Sequence, residues 1–173
     1  MKPVYLIGPS RVGKSTVARM LEKVGEACHV DLDRLLLPLA AGENDLIRVA
    51  QDWSVLGPVL DELDERETTP PSLVDVGAGT QDGDRAHGDH RLLDWIRDRR
   101  ERVILLEGDD AELRMRNDLY RDDPAAFLVI ERSAERIALY AVAGHRVDTG
   151  GKSSAEVADE VRVLLQRTWH ESS

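Results

Sequence analysis

A three-layer α/β/α domain on a central parallel sheet is the fold that the sequence predicts, from three observations. Short apolar runs alternate with longer segments of helical period, and each run is apolar throughout, as in strands buried on both faces. A glycine-rich loop joins the first run to the first helical segment. The length of 173 residues, 42% hydrophobic and 32% charged, fits one globular domain with a substantial core. A single domain is therefore expected over residues 1–173.

The apolar runs lie at residues 4–7, 27–32, 73–76 and 103–106, with a weaker one at 145–147. Helical spacing marks residues 15–24, 33–41, 45–63, 91–99, 111–120, 125–143 and 154–168. Strands alternating with helices imply right-handed crossovers between parallel neighbours. Asp123-Pro124 reads as an N-cap followed by a first-turn proline, and Ser153-Ser154-Ala155-Glu156 has the spacing of a capping box. Residues 65–72, with two prolines, form a connector, and the polar stretch 80–89, with Gly83 and Gly88, is expected to be a mobile loop.

The formal net charge of −10 argues against sequence-independent binding to nucleic acid or to an anionic membrane, so an anionic ligand needs a local site. The single cysteine, Cys28, excludes an intramolecular disulfide and is expected as a small buried thiol in a reducing compartment. No apolar run has the length of a signal peptide core or a membrane span, so a soluble, cytoplasmic protein is expected. Trp53, Trp95 and Trp169 are read as packing residues. His87, Asp89 and His90 are read as a solvated cluster without companions at metal-ligand spacing.

Gly8-Pro9-Ser10-Arg11-Val12-Gly13-Lys14-Ser15 matches the phosphate-loop pattern at every fixed position and stands between a strand and a helix. Backbone N–H groups over Gly8, Arg11, Val12 and Gly13 would cradle a phosphate at the positive end of the following helix. Lys14 would reach the β- and γ-phosphates, Ser15 would ligate Mg²⁺, and Thr16 would donate near the α-phosphate. Gly150-Gly151-Lys152-Ser153 is no second copy, because Arg146 stands where the first glycine belongs. The guanine-reading Asn-Lys-x-Asp motif and the Leu-Ser-Gly-Gly-Gln segment of transporter ATPases are both absent. Phosphoryl transfer to a small acceptor remains as the chief use of such a loop.

From the phosphate loop the chain runs through Val30-Asp31-Leu32-Asp33, Val74-Asp75-Val76-Gly77-Ala78-Gly79, Glu135-Arg136-Ile137-Ala138-Leu139-Tyr140 and Asp148-Thr149-Gly150-Gly151-Lys152-Ser153. In that order these segments resemble shikimate kinase over nearly the whole length. The resemblance implies ATP and Mg²⁺ as cofactors and a small, acidic acceptor. It implies that Asp31 lies toward Mg²⁺, that Asp33 binds the acceptor hydroxyl and takes its proton, and that Gly77, Ala78 and Gly79 approach the acceptor. Arg136 and Arg48 would hold the acceptor carboxylate, since a guanidinium grips a carboxylate bidentately. A lid is expected around residues 111–124, with Arg116 as the arginine that reaches the transferred phosphoryl group.

Three features depart from that family. Ala78 replaces a glycine, the lid's Arg-Pro-Leu-Leu segment is missing, and Asp75 either supports Mg²⁺ as a Walker B aspartate does or bonds a loop backbone. Arg132, Arg136 and Tyr140 are expected on one helical face, with Phe127, Ile130, Ala134, Ile137 and Ala141 as the apolar stripe. A kinase for another hydroxylated metabolite or natural product, such as a sugar acid or an antibiotic, and a non-catalytic ATP-binding regulator stand as alternatives. A nucleoside monophosphate kinase would carry an Asp-Gly-Phe-Pro-Arg-like segment after the third strand, which this chain lacks.

Overall fold

A computed structural model describes residues 1–41 and 43–170; the side chains of Glu43, Asn44, Arg85, Leu119, Trp169 and His170 lie outside it. The packing expectation for Trp169 therefore falls outside the described residues. Five strands, β1 (Val4–Ile7), β2 (Cys28–Asp31), β3 (Ser72–Asp75), β4 (Val103–Glu107) and β5 (His145–Asp148), form one sheet in the order β2-β3-β1-β4-β5. Every pairing is parallel. The helices are α1 (Lys14–Lys23), α2 (Leu32–Leu36), α3 (Glu43–Gln51), α4 (Trp53–Glu65), α5 (Gly83–His87) and α6 (Arg91–Asp98). They continue as α7 (Asp110–Arg116), α8 (Asp118–Asp122), α9 (Pro124–Glu131), α10 (Ala134–Ala141) and α11 (Ser154–His170).

Strand side chains alternate between two cores, which is why the inner runs are apolar at every position. Tyr5, Ile7, Val74, Val76, Val103 and Leu105 pack with Leu36, Leu60, Ile96 and Leu139 on one side. Val4, Leu6, Leu73, Ile104 and Leu106 pack with Val17, Leu21, Phe127 and Val161 on the other. Trp95 is a packing residue: it meets Tyr5 edge to face at 5.0 Å and lies under the Arg99 guanidinium at 3.9 Å. Trp53 packs against the same core.

Two long helical stretches are each broken by a cap. Asp52 accepts from the Ser54 N–H at 2.9 Å and the Ser54 hydroxyl at 2.7 Å, so α4 starts afresh after α3. Ser133 accepts from the Arg136 N–H at 3.3 Å and restarts the chain as α10. That break rotates the second half of the stretch. Arg136, Leu139 and Tyr140 turn inward, while Ile137, expected in the apolar stripe, is 51% exposed.

The caps at Asp123-Pro124 and Ser153-Glu156 form as the spacing predicts. The stretch 80–89 does not behave as a free loop. Thr80, Gln81 and Asp84 are buried, and Asp84 accepts from the N–H groups of Leu92 and Leu93, capping α6. Cys28 is half-buried rather than buried, because β2 is a sheet edge.

Candidate active site

The carboxyl ends of β1, β2 and β3 open into one cavity of about 540 Å³, the place where open parallel sheets bind ligands. Its wall includes Ser10, Arg11, Lys14 and Ser15 on one side and Asp31, Asp33, Asp75, Gly77, Ala78 and Gly79 on the other. Arg34, Leu37 and Leu46 complete it.

The phosphate loop is set by backbone geometry. Gly8 has φ 142°, and a Cβ there would stand 2.2 Å from the Leu106 carbonyl oxygen. Gly13 has φ 111° and precedes α1, while Arg11, at φ 64°, takes the left-handed conformation at the cost that a side chain incurs there. Val12 turns into the core, and Thr16 sits exposed in the first turn of α1. Lys14 is 7% exposed, and its ammonium donates to the carbonyls of Gly8 at 3.0 Å and Pro9 at 3.2 Å. Burial pushes its pKa below the usual lysine value, against the upward pull of Asp75 and Glu131.

The Ser15 hydroxyl donates to Asp75 Oδ2 at 2.5 Å. The other Asp75 oxygen is buried without a hydrogen-bond partner. A hard cation fits that combination, since Ser15 Oγ, Asp75 and the nearby Asp31 offer oxygen donors only. Among the described residues no group of three or more His, Cys, Asp or Glu side chains could hold a metal alone. Mg²⁺ suits this, because it keeps several waters and leans on substrate phosphates. Of the two sequence readings for Asp75, Mg²⁺ support is compatible with its contact to Ser15, which is a side-chain bond and not one to loop backbone.

Asp31 caps α2 by accepting from the Arg34 N–H at 3.1 Å and still lines the cavity. Asp33, the second residue of α2, rests against the loop of residues 77–79, which is expected from the sequence to approach the acceptor. A Cβ on Gly77 would stand 2.1 Å from Asp33 Oδ1, so glycine here makes room for the carboxylate. Burial raises the Asp33 pKa above the usual aspartate value, and the Asp31 and Asp75 charges raise it further. Ala78 causes no backbone strain, because Arg11 is the one non-glycine with positive φ among the described residues.

Three expected arginines stand elsewhere. Arg136 is 1% exposed and is absent from the cavity wall. Its guanidinium is taken by Asp82, Glu131 and the Ala78 carbonyl, leaving no fork for an acceptor carboxylate. Arg48 points outward and pairs with Asp45 one turn away on α3 at 2.6 Å. Arg116 pairs with Glu112 at 3.0 Å on α7, outside the cavity wall. The arginines that do line the cavity are Arg11 of the phosphate loop and the exposed Arg34 of α2.

Two buried residues were not legible as site residues. Gln81 accepts from the Gly8 N–H at 3.2 Å and donates to the carbonyls of Gly8 at 3.1 Å and Val76 at 3.0 Å. It thereby staples the phosphate loop to the end of β3. Glu131 accepts from the Ser10 N–H at 3.2 Å. The one available signal was a glutamate closing the apolar segment Phe127-Leu128-Val129-Ile130.

No protein-family model matches the chain, and no curated protein matches it in sequence. Solved structures do match. The YorR protein from Bacillus subtilis, in complex with phosphorylated GDP, aligns with TM-score 0.65 and 18% identity over 97% of this chain and 98% of that one. A gluconokinase from Sinorhizobium meliloti 1021 aligns with TM-score 0.55 and 17% identity over 96% and 92%. The tunicamycin resistance protein of Deinococcus radiodurans aligns with TM-score 0.54 and 17% identity over 95% of each chain. Among the described residues, no helix is long and apolar enough to cross a membrane. The five parallel strands, the helices on both faces and the phosphate loop at the crest together give this chain a three-layer α/β/α fold, which it shares with these solved structures.

Proposed function

We propose that this protein is an ATP- and Mg²⁺-dependent kinase that phosphorylates a hydroxyl of a small acceptor. One observation carries the reading: Asp33 lines the same cavity as Lys14 and Ser15, with Gly77, Ala78 and Gly79 also in its wall. Lys14 would leave the Gly8 and Pro9 carbonyls and bind the β- and γ-phosphates as a point charge. Mg²⁺, held through Ser15 with Asp75 and Asp31 behind it, would neutralise phosphate charge.

In the transfer, the acceptor oxygen attacks the γ-phosphorus, the bond to the β–γ bridging oxygen breaks, and ADP leaves. The hydroxyl proton passes to Asp33, whose raised pKa makes it a better base than an ordinary aspartate. Catalysis is then mainly positioning and charge. The protein is taken to act in the cytoplasm on a small molecule, without nucleic acid or membrane as partner.

The acidic acceptor expected from the resemblance loses its main support, since Arg136 is engaged and Arg48 faces outward. Sugars, sugar acids and hydroxylated natural products therefore stand level with shikimate as candidates. The gluconokinase and the tunicamycin resistance protein support this breadth by fold alone. The test is ADP release from MgATP with shikimate, other hydroxy acids, neutral sugars and sugar acids in parallel. Stimulation by any acceptor supports the reading. Tight ATP binding with silence across the panel favours the non-catalytic regulator.

A further inference from the structure

The acceptor side of the cavity is held by a buried pair that the proposed chemistry leaves unused. Glu131, ending α9, is 0% exposed, and Arg136 on α10 is 1% exposed. Glu131 Oε1 accepts twice, from the Ser10 N–H at 3.2 Å and from the Tyr120 hydroxyl on α8 at 2.6 Å. Glu131 Oε2 meets Arg136 Nη1. The other Arg136 donors reach Asp82 at 2.8 and 2.9 Å and the Ala78 carbonyl at 2.8 Å. Two side chains thus touch the apex of the phosphate loop, the acceptor loop and the helix following α7.

We propose that Glu131 and Arg136 are positioning residues that couple the phosphate loop to the acceptor loop and to α8, so that nucleotide binding orders both. The proposal rests on the nucleotide-binding part of the function above. Burial keeps solvent from replacing a lost partner of this pair, so its hydrogen bonds shift as a set rather than singly. A phosphate that fixes the Ser10 N–H therefore fixes Oε1, which Tyr120 shares, and through Oε2 the guanidinium that carries Ala78. Gln81 anchors the base of the acceptor loop and Gln51 Nε2 donates to the Gly79 carbonyl at 3.2 Å, so Arg136 is the link from Ala78 at the tip to the buried pair.

Hydrogen–deuterium exchange of the whole chain, with and without MgADP, tests the coupling. In the wild type, MgADP slows exchange over residues 8–16 and also over 77–82 and 118–122. Arg136→Lys keeps the charge, but one ammonium cannot fork onto Asp82 and still hold Ala78. In this variant, exchange over 77–82 rises about tenfold and no longer responds to MgADP, while MgADP affinity stays within about threefold. Tyr120→Phe keeps the edge-on ring contact to Phe127 at 5.3 Å and loses only the hydroxyl, so folding is preserved. It abolishes the response over 118–122 alone.

A wild-type response confined to 8–16 overturns the coupling, as does an unchanged response in both variants. Should Arg136→Lys fail to fold, Tyr120→Phe still decides, because a retained response over 118–122 contradicts the shared carboxylate. Failure of MgADP to bind the wild type overturns the function reading itself, and is recognised by the lack of any response over 8–16.

Discussion

The two loops that border the cavity are held in different ways. The phosphate loop takes its shape chiefly from its own backbone, with left-handed Gly13 and Arg11, a close approach at Gly8 and the start of α1, and it is tied from outside at Gly8 by Gln81 and at Ser10 by Glu131. The loop of residues 77–79, proposed to meet the acceptor, takes its shape from side chains: the nearby Gln81 at its base, and the distant Arg136 at its tip and Asp33 against Gly77. A loop built on local backbone tolerates changes elsewhere, whereas a loop hung on a buried ion pair inherits every change to that pair.

The largest effect tests that dependence directly. Glu131→Ala leaves the buried Arg136 with Asp82 as its one carboxylate partner and strips the Ser10 N–H and the Tyr120 hydroxyl of their acceptor, and we expect a loss of about 3 kcal/mol in unfolding free energy by denaturant titration. A loss under about 1 kcal/mol would show that the acceptor loop does not lean on the pair.

Next comes Gly77→Ala. The new methyl displaces the Asp33 carboxylate, and because a misplacement near 1 Å costs about 10²-fold, kcat for transfer falls by about that factor while MgADP affinity holds. Equal activity in this variant would mean that Asp33 need not sit against residue 77.

The same contrast explains what was legible in the sequence. Gly8, Gly13, Lys14 and Ser15 form a contiguous motif whose chemistry follows from spacing, and the strand runs follow from double-sided burial. The placement of Arg136 was not legible, because it depends on Ser133 restarting the helix. One serine's preference for capping over continuing rotated that segment and turned the arginine inward. Gln81 and Asp84 looked like loop residues for a related reason. Polar side chains that satisfy buried backbone groups cannot be told from solvated ones until their partners are known. The expected lid region forms short helices, with Arg114 near the Phe127 ring and Arg121 paired to Asp118 and Asp122.

A smaller effect concerns pH. The folded protein holds the Asp33 proton more tightly than an unfolded chain with the ordinary value of 3.8. Its contribution to stability is therefore present below that value and is lost as pH rises through the raised folded value. Asp33→Asn removes the loss, so thermal melts between about pH 4 and 8 should show the variant gaining Tm over the wild type as pH rises. A gap that widens toward acid would contradict the sign of the shift.

The smallest effect is expected at Arg48. Its exposed pair with Asp45 lies away from the cavity wall, so Arg48→Ala should leave both the denaturation midpoint and acceptor KM unchanged. A clear rise in acceptor KM would bring Arg48 back into the site.

The central claim is that one wall of the cavity holds the nucleotide and the other activates the acceptor. The most direct test measures acceptor-dependent ADP release and MgADP affinity together in Asp33→Asn and Lys14→Ala. The account predicts that Asp33→Asn abolishes transfer with MgADP affinity intact, while Lys14→Ala loses transfer and weakens nucleotide binding. Near-normal turnover in Asp33→Asn, or unchanged MgADP affinity in Lys14→Ala, would contradict it.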